Sequence, residues 1–252
     1  MTISVKGLKK LDGDDRFYEW NGERFVSVTT ILKHCIPKPA LVRWQAKLVA
    51  STAIAELTEL GNRDPADAEK YLLALADDAK DSKAAVGTEV HAFAESSALG
   101  TPAPSPSEKA IPYIRSYEAF QYDMHPEYVG VELAVFNRTH GYAGTADIYA
   151  VIDGKVCIVD IKTGKSIWPE VALQLAAYSR GEFGVVDGHE VPLPIVERGY
   201  VLHVTESGYE LRRCDISDTS YDAFVAATRL YEWVRNDSKY SLGSVSGTGV
   251  TD

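Results

Sequence analysis

The sequence predicts an α/β (α+β) chain: a central mixed β-sheet flanked by helices, with a helical lobe in front of it. Three observations carry this. The run Val156-Cys157-Ile158-Val159-Asp160-Ile161-Lys162 is apolar on both alternating faces until its last residues, as in a strand covered on both sides. Strand candidates at Tyr128–Phe136, Gly144–Ile152 and Lys155–Ile161 lie between two helical segments. One is 108–123, with Ile111, Ile114, Tyr117 and Phe120 in phase; the other is opened by Pro169 and runs to about Gly181. The N-terminal part is rich in Ala, Leu and Val at helical spacing.

In chain order, Asp12-Gly13-Asp14-Asp15 reads as a turn. Phe17-Tyr18-Glu19-Trp20 and Arg24-Phe25-Val26-Ser27-Val28 flank Asn21-Gly22, the strongest short hairpin signal. Thr29 or Thr30 is placed to cap a short helix through His34, which Pro37 and Pro39 end. A helix from about Ala40 to Leu60 stops at Gly61-Asn62, and Asp64-Pro65 opens another, about Ala66 to Ala79. A separate helix carries Gly87-Thr88-Glu89-Val90-His91, with Val90, Phe93, Ala94 and Ser97 on its core side. Gly87, one turn before His91, leaves room for the ring or for a close neighbour. The Pro/Ser-rich stretch 100–107 divides the chain into an N-terminal hairpin and helical lobe (1–107) and a sheet-bearing core (108–240). Asp153-Gly154 joins two strands tightly, Val196–Val204 and Tyr209–Cys214 read as strands, and Ser217-Asp218 caps a last helix to about Asn236. Residues 241–252 read as a flexible tail.

At 252 residues and 45% hydrophobic content, the chain suits one medium-sized globular domain, or a core domain with an added lobe. No stretch is long and apolar enough to span a membrane, and the N-terminus lacks a signal-peptide core. Cys35, Cys157 and Cys214 are scattered and supply neither a disulfide framework nor a four-thiolate site, so a reduced, cytoplasmic protein is the expectation. The net charge of −10 disfavours a protein that coats nucleic acid with its whole surface. Charge is segregated, however: Arg24 to Ala55 contains no acid but holds Arg24, Lys33, Lys38, Arg43 and Lys47, with Trp44 among them. That window is either a phosphate-binding surface or a solvated helix face.

Asp160 and Lys162 are two apart on a strand and share a face. An acid and a lysine at the end of an apolar strand are costly to bury unless paired or ligand-bound. A divalent metal held by Asp147 and Asp160, beside Lys162, accounts for all three. Gln174 and Tyr178, four apart on the following helix, share a face close to the same place. The bland alternatives are a turn aspartate at Asp147, a surface ion pair at Asp160 and Lys162, an amphipathic boundary at Gln174 and Tyr178, and a strand-edge acid at Glu132.

The ordered set of His91 in Gly-Thr-Glu-Val-His, Glu132 in Val-Glu-Leu-Ala-Val, Gly-Thr-Ala-Asp at 144–147, Asp-Ile-Lys at 160–162 and Gln-x-x-x-Tyr at 174–178 resembles the PD-(D/E)XK nuclease superfamily. Within it, the likeness is to the RecB-like and Cas4-like exonuclease branch; Ser27-Val28-Thr29-Thr30-Ile31-Leu32 resembles its phage-encoded members. The resemblance implies a restriction-endonuclease-like core and a metal-dependent DNA exonuclease, with a role in phage DNA recombination, repair or replication. It implies one or two Mg²⁺ or Mn²⁺ ions on Asp147, Asp160, His91 and the Ile161 backbone carbonyl, with Lys162 positioning the water or stabilising phosphate charge. Glu132 would be a supporting or second-metal carboxylate, and Gln174 and Tyr178 would contact DNA or brace the site. Many Cas4-like members hold an iron–sulfur cluster on four cysteines; with three, none is expected here. The implied partners are linear DNA ends, read in part by Arg43 and Lys47, and a single-strand annealing protein or recombinase, with no membrane. The alternative is a catalytically inactive DNA-binding or recombination-partner protein on the same fold.

Overall fold

The computed structural model describes residues 8–13 and 15–243, with backbone alone over 76–84. Its centre is one mixed sheet of ten strands. The chain opens with β1 (Leu8–Leu11), β2 (Phe17–Trp20) and β3 (Glu23–Ser27), an antiparallel set. Asn21 and Gly22, both at positive φ (49 and 84), make the β2–β3 turn. Strands β4 (Glu127–Asn137), β5 (Tyr142–Ile152) and β6 (Lys155–Lys162) follow as an antiparallel meander, and Asp153-Gly154 makes the second tight turn at φ 50 and 67. A further hairpin that periodicity did not indicate, β7 (Phe183–Val186) and β8 (His189–Val191), uses Asp187-Gly188 in the same way and pairs with β4. β9 (Arg198–Thr205) runs parallel to β6 and returns through β10 (Gly208–Cys214).

Helices cover both faces. α1 (Val28–Cys35), α6 (Val171–Ser179) and α7 (Asp218–Glu232) pack on one, around Val28, Ile31, Leu175, Tyr178, Phe224 and Tyr231. α4 (Pro65–Leu99) and α5 (Ile111–Met124) pack on the other, around Val90, Ala94, Tyr117 and Phe120. This two-sided cover is why β6 carries no polar face.

Several expectations need correction. The helices expected at Ala66–Ala79 and around Gly87 are one, α4, 35 residues long. The stretch between them has neither proline nor glycine to stop it, and Gly87 is retained because it packs against a neighbour. The helix expected from Ala40 to Leu60 breaks at Glu56 into α2 (Pro39–Ala55) and α3 (Leu57–Gly61). Ser27 rather than Thr29 or Thr30 stands at the N-cap of α1; Thr30 Oγ1 instead bridges to the backbone of Arg16. The Ser217 hydroxyl turns back to Asp215 rather than capping α7. The boundary at 107 does not follow the sheet, since β3 pairs in parallel with the start of β5 through Val26↔Tyr142 and Ser27↔Ala143. The tail beyond Gly243 lies outside the described residues.

That last pairing positions everything that follows. Along one edge, β5 is paired with β3 at Tyr142–Ala143 and with β6 only from Ile148 onward. Gly144-Thr145-Ala146-Asp147 spans the gap between the two neighbours. At the same level the sheet turns over. Ala146 and Leu133 pack with the α6–α7 core, whereas Ile148 and Val131 pack with the α4–α5 core. Residues two apart on a regular strand share a face, so both strands rotate between these pairs. Glu132 supplies the rotation on β4, at φ 47, a conformation uncommon for a residue with a side chain.

Candidate functional site

The polar residues of the site converge on this gap from both sides of the sheet. Asp147 ends the unpaired stretch of β5, and its Oδ2 accepts a 2.7 Å hydrogen bond from the Ile161 N–H. The carboxylate thus replaces the ladder bond that β6 loses when it parts from β5. A strand residue sends its N–H and C=O to the same edge, so the Ile161 carbonyl faces the same fork. Glu132 lies across the β4–β5 ladder from Asp147, between the pairs Val131↔Ile148 and Leu133↔Ala146.

His91 reaches in from α4. Its Nδ1 is 3.4 Å from Glu132 Oε1 and 3.7 Å from Asp147 Oδ1. Gly87, one turn earlier, lets the helix close on the loop after β6: a Cβ there would stand 3.0 Å from Thr163 Oγ1. The neighbour for which that glycine leaves room is therefore Thr163.

From the opposite face, α6 brings Gln174, whose Nε2 donates to Asp160 Oδ1 at 2.8 Å. Asp160 is 2% exposed, and its Oδ2 is buried with no hydrogen-bond partner apart from the Lys162 ammonium 2.5 Å away. Tyr178, one turn beyond Gln174, is buried against Gly144 so closely that a Cβ on Gly144 would stand 2.4 Å from its ring. The glycine of the Gly-Thr-Ala-Asp stretch is thus a seat for Tyr178. Thr145 Oγ1 shares a 2.9 Å hydrogen bond with the Tyr18 hydroxyl, tying the N-terminal hairpin to the same stretch.

The charges strain against one another. Burial, and then the neighbouring acid, raise the Asp160 carboxyl to about 6 against the pull of Lys162. Burial raises the Asp147 carboxyl as well, with His91 and Lys162 opposing. Burial would depress the His91 imidazole, but Asp147, Glu132 and Asp160 outweigh it and raise it to about 9. Lys162 also stays charged: burial lowers its pKa, and Asp160 and Asp147 more than compensate. The cluster therefore holds His91 and Lys162 as cations among three carboxylates.

Does this donor set fit a divalent cation? One ligand atom each from His91, Glu132 and Asp147 lie within 4.8 Å of one another. Asp160 stands outside that group of three, its buried Oδ2 facing the Lys162 ammonium, and the Ile161 carbonyl faces the fork. Carboxylate and carbonyl oxygens with one imidazole suit Mg²⁺, or Mn²⁺ if the nitrogen binds. The set fits.

A consequence can be measured in metal-free protein. His91 has a folded pKa above its unfolded one, so its stabilising contribution is full below about 6.5 and lost as pH rises through about 9. In EDTA, the melting temperature is expected to fall from pH 6.5 to 9, and His91→Asn should flatten that slope. An unchanged slope in the variant would show that His91 is not held as an imidazolium.

Not every expected residue arrives here. Arg43 and Lys47 are exposed on α2, and among the described residues no contact joins them to the acids. Lys38 of the same basic window pairs with Glu170 in the loop before α6, at 2.7 Å. One residue not anticipated, Lys10 of β1, lies close enough to Glu132 and Asp147 to feel their charge. Only its place beside Lys9 in a short lysine pair marked it in the sequence. The three cysteines are free thiols; Cys35 donates to the Ala227 carbonyl and Cys157 is buried in the α4–α5 core.

No protein-family model matches the chain, and no curated protein matches it. Among solved structures, one described as "Crystal structure of SSO0001" is similar over 51% of this chain, at 18% identity and a TM-score of 0.31. The match spans 59% of that protein's length. No helix of the chain, among the described residues, is long and apolar enough to cross a membrane.

Proposed function

We propose that the chain is a divalent-metal-dependent deoxyribonuclease with a restriction-endonuclease-like core, acting as an exonuclease on linear DNA. The observation that carries this reading is the buried Asp160 carboxylate. It is braced by Gln174 and faced by a charged Lys162, and it feels the charges of Asp147 and His91, which with Glu132 form a group of ligand atoms within 4.8 Å of one another. A structural ion pair needs no such company of like-charged acids.

Asp147, Asp160, Glu132 and the Ile161 carbonyl would hold the metal, with His91 as the nitrogen donor once deprotonated. A bound Mg²⁺ or Mn²⁺ supplies Lewis-acid polarisation of a phosphate and an acidified water. The chain's own groups divide the remaining work. Lys162, kept as an ammonium, cannot accept a proton; it stabilises charge that builds on the phosphate. Gln174 fixes the Asp160 carboxylate, and Tyr178 on Gly144 fixes the helix that carries Gln174. Lys10 adds a second positive group above the acids for the DNA backbone. The role in phage DNA recombination, repair or replication, with an annealing protein or recombinase as partner, belongs to the same reading and follows from the resemblance alone.

The test is incubation of the purified chain with end-labelled single- and double-stranded linear DNA, in Mg²⁺, Mn²⁺ or EDTA. Metal-dependent shortening from the ends is expected. DNA left intact in every metal would leave the non-cleaving DNA-binding reading in its place. In the same system, Arg43→Glu with Lys47→Glu should weaken DNA binding and reduce its salt slope by about two if the basic window tracks the backbone. An unchanged slope assigns that helix face to solvent.

A further inference from the structure

A second cluster lies away from the acids, at the other end of β5. A cavity of about 360 Å³ opens between the N-terminal hairpin and the C-terminal end of α7, lined by Phe17, Arg24, Gly141, Tyr231, Arg235 and Asn236 among others. Gly141 directly precedes β5, whose first residue Tyr142 is five residues from Asp147, so the cavity is roughly 16 Å along the strand from the acid cluster. The regular turns of α7 end there. Residues Trp233–Asp237 form a π-helix, the wider winding that brings Arg235 and Asn236 to the same wall as Tyr231.

Two of the groups in this wall, Tyr231 and Arg24, have no acceptor or ion-pair partner among the described residues. The Tyr231 side chain is 6% exposed, and its hydroxyl is buried without a hydrogen-bond partner. It lies within the field of Arg235, Asp15 and Arg24. The Arg24 guanidinium carbon lies over the Phe17 ring, 3.8 Å from its centroid, and the group makes no ion pair among the described residues. Stacking of this kind leaves the in-plane N–H groups free. Arg235 gives one N–H to Asp15 at 2.7 Å, while Glu232 stands exposed at the rim. A buried hydroxyl without a partner is costly to the fold. Two guanidiniums and a phenol around one cavity ask for a ligand rich in acceptors.

We propose that this cavity is a binding site for a phosphate-class oxyanion, held by Arg24, Arg235 and the Tyr231 hydroxyl. A planar fork of N–H donors matches two phosphate oxygens at once, and the phenol takes a third. The source is a backbone phosphate of a nucleic-acid strand that also reaches the acid cluster. That source rests on the nuclease reading, whereas the oxyanion chemistry does not.

The experiment has two arms, both in EDTA so that no cleavage intervenes. Melting temperature is followed in inorganic phosphate against chloride at equal ionic strength, for the wild-type chain, Arg24→Ala and Tyr231→Phe. Tyr231→Phe keeps the ring and removes only the unpartnered hydroxyl, so it folds. Phosphate should raise the melting temperature of the wild type, and both variants should lose that rise. In the second arm, Arg24→Ala should weaken binding of a single-stranded oligonucleotide about tenfold and reduce the salt slope by about one. A phosphate effect that is absent, or equal in all three proteins, overturns the site. A phosphate effect that depends on Arg24 and Tyr231, with oligonucleotide affinity unmoved by Arg24→Ala, overturns the strand as its source and leaves free phosphate. Absence of DNA cleavage in metal would sink the nuclease reading without touching the first arm.

Discussion

Asp160→Asn is expected to remove at least about a thousandfold of the metal-dependent cleavage while leaving the chain as stable as before or more so. The two halves of this expectation have one cause. Asp160 is buried, and its carboxyl is raised from the usual 3.8 to about 6 by burial and by Asp147. A carboxyl with a raised folded pKa favours the fold when protonated, so that part of stability is lost as pH rises from about 4 to about 6. Asparagine keeps the oxygen that accepts from Gln174 and carries no charge, so it escapes this loss at neutral pH. The Lys162 side chain, 39% exposed, can turn to solvent when its partner is neutral. The chain therefore holds an ionised acid that its fold would rather protonate, which is the usual relation between a functional group and stability. Cleavage rates and melting curves of the two proteins at pH 7 decide it. Residual cleavage above a tenth of wild type would remove Asp160 from the site, and a melting temperature lowered by many degrees would make its role structural.

The elements of this site were legible to different degrees. The period of two placed Asp160 and Lys162 on one face, and the spacing of four placed Gln174 beside them; both are local regularities that survive folding. The glycine before His91 was legible as a space, though not as the space that Thr163 fills. The gap along β5 was not legible. It depends on two ladder pairs between β3 and β5, Val26↔Tyr142 and Ser27↔Ala143, and nothing local announces a parallel pairing across such a distance. The same holds for the turning-over of β4 and β5, since the left-handed residue that makes it is a glutamate rather than a glycine. The β7–β8 hairpin was not read: its short strands, Phe183–Val186 and His189–Val191, offer too few residues for a period to show. Arg43 and Lys47 stand apart from the acids, because charge pattern along a chain does not fix where a helix stands relative to a site.

Gly144→Val is expected to cost as much as a core defect and to disable the site together with the fold. The added side chain would start 2.4 Å from the Tyr178 ring, in a place with no solvent to move into. Overpacking of a closed core costs about 1–3 kcal/mol, which in a chain of this size lowers the melting temperature by roughly 2–12 °C. The ring atoms themselves are in the way, so Tyr178→Phe should not relieve it. Tyr178→Leu should recover part of the loss, and the coupling between the two positions is the signature of the contact. Melting curves of the two single variants and the double variant test this; additive losses would separate Gly144 from Tyr178.

The handover of the β5 edge from β3 to β6 also bears on how the protein comes into being. The polar groups of the site are framed by strands and helices from the hairpin at Phe17–Ser27 to the helix at Val171–Ser179. The pairing that frames them joins Ser27 to Ala143, a contact between segments made far apart in time on the ribosome. Contacts of such long sequence separation form late, because the intervening chain must be closed into a loop first. A chain that has not yet closed this loop has the acids but not the fork that aligns them. Assembly of the site is thus tied to completion of the fold: its polar groups come together only once the long-range pairing has closed.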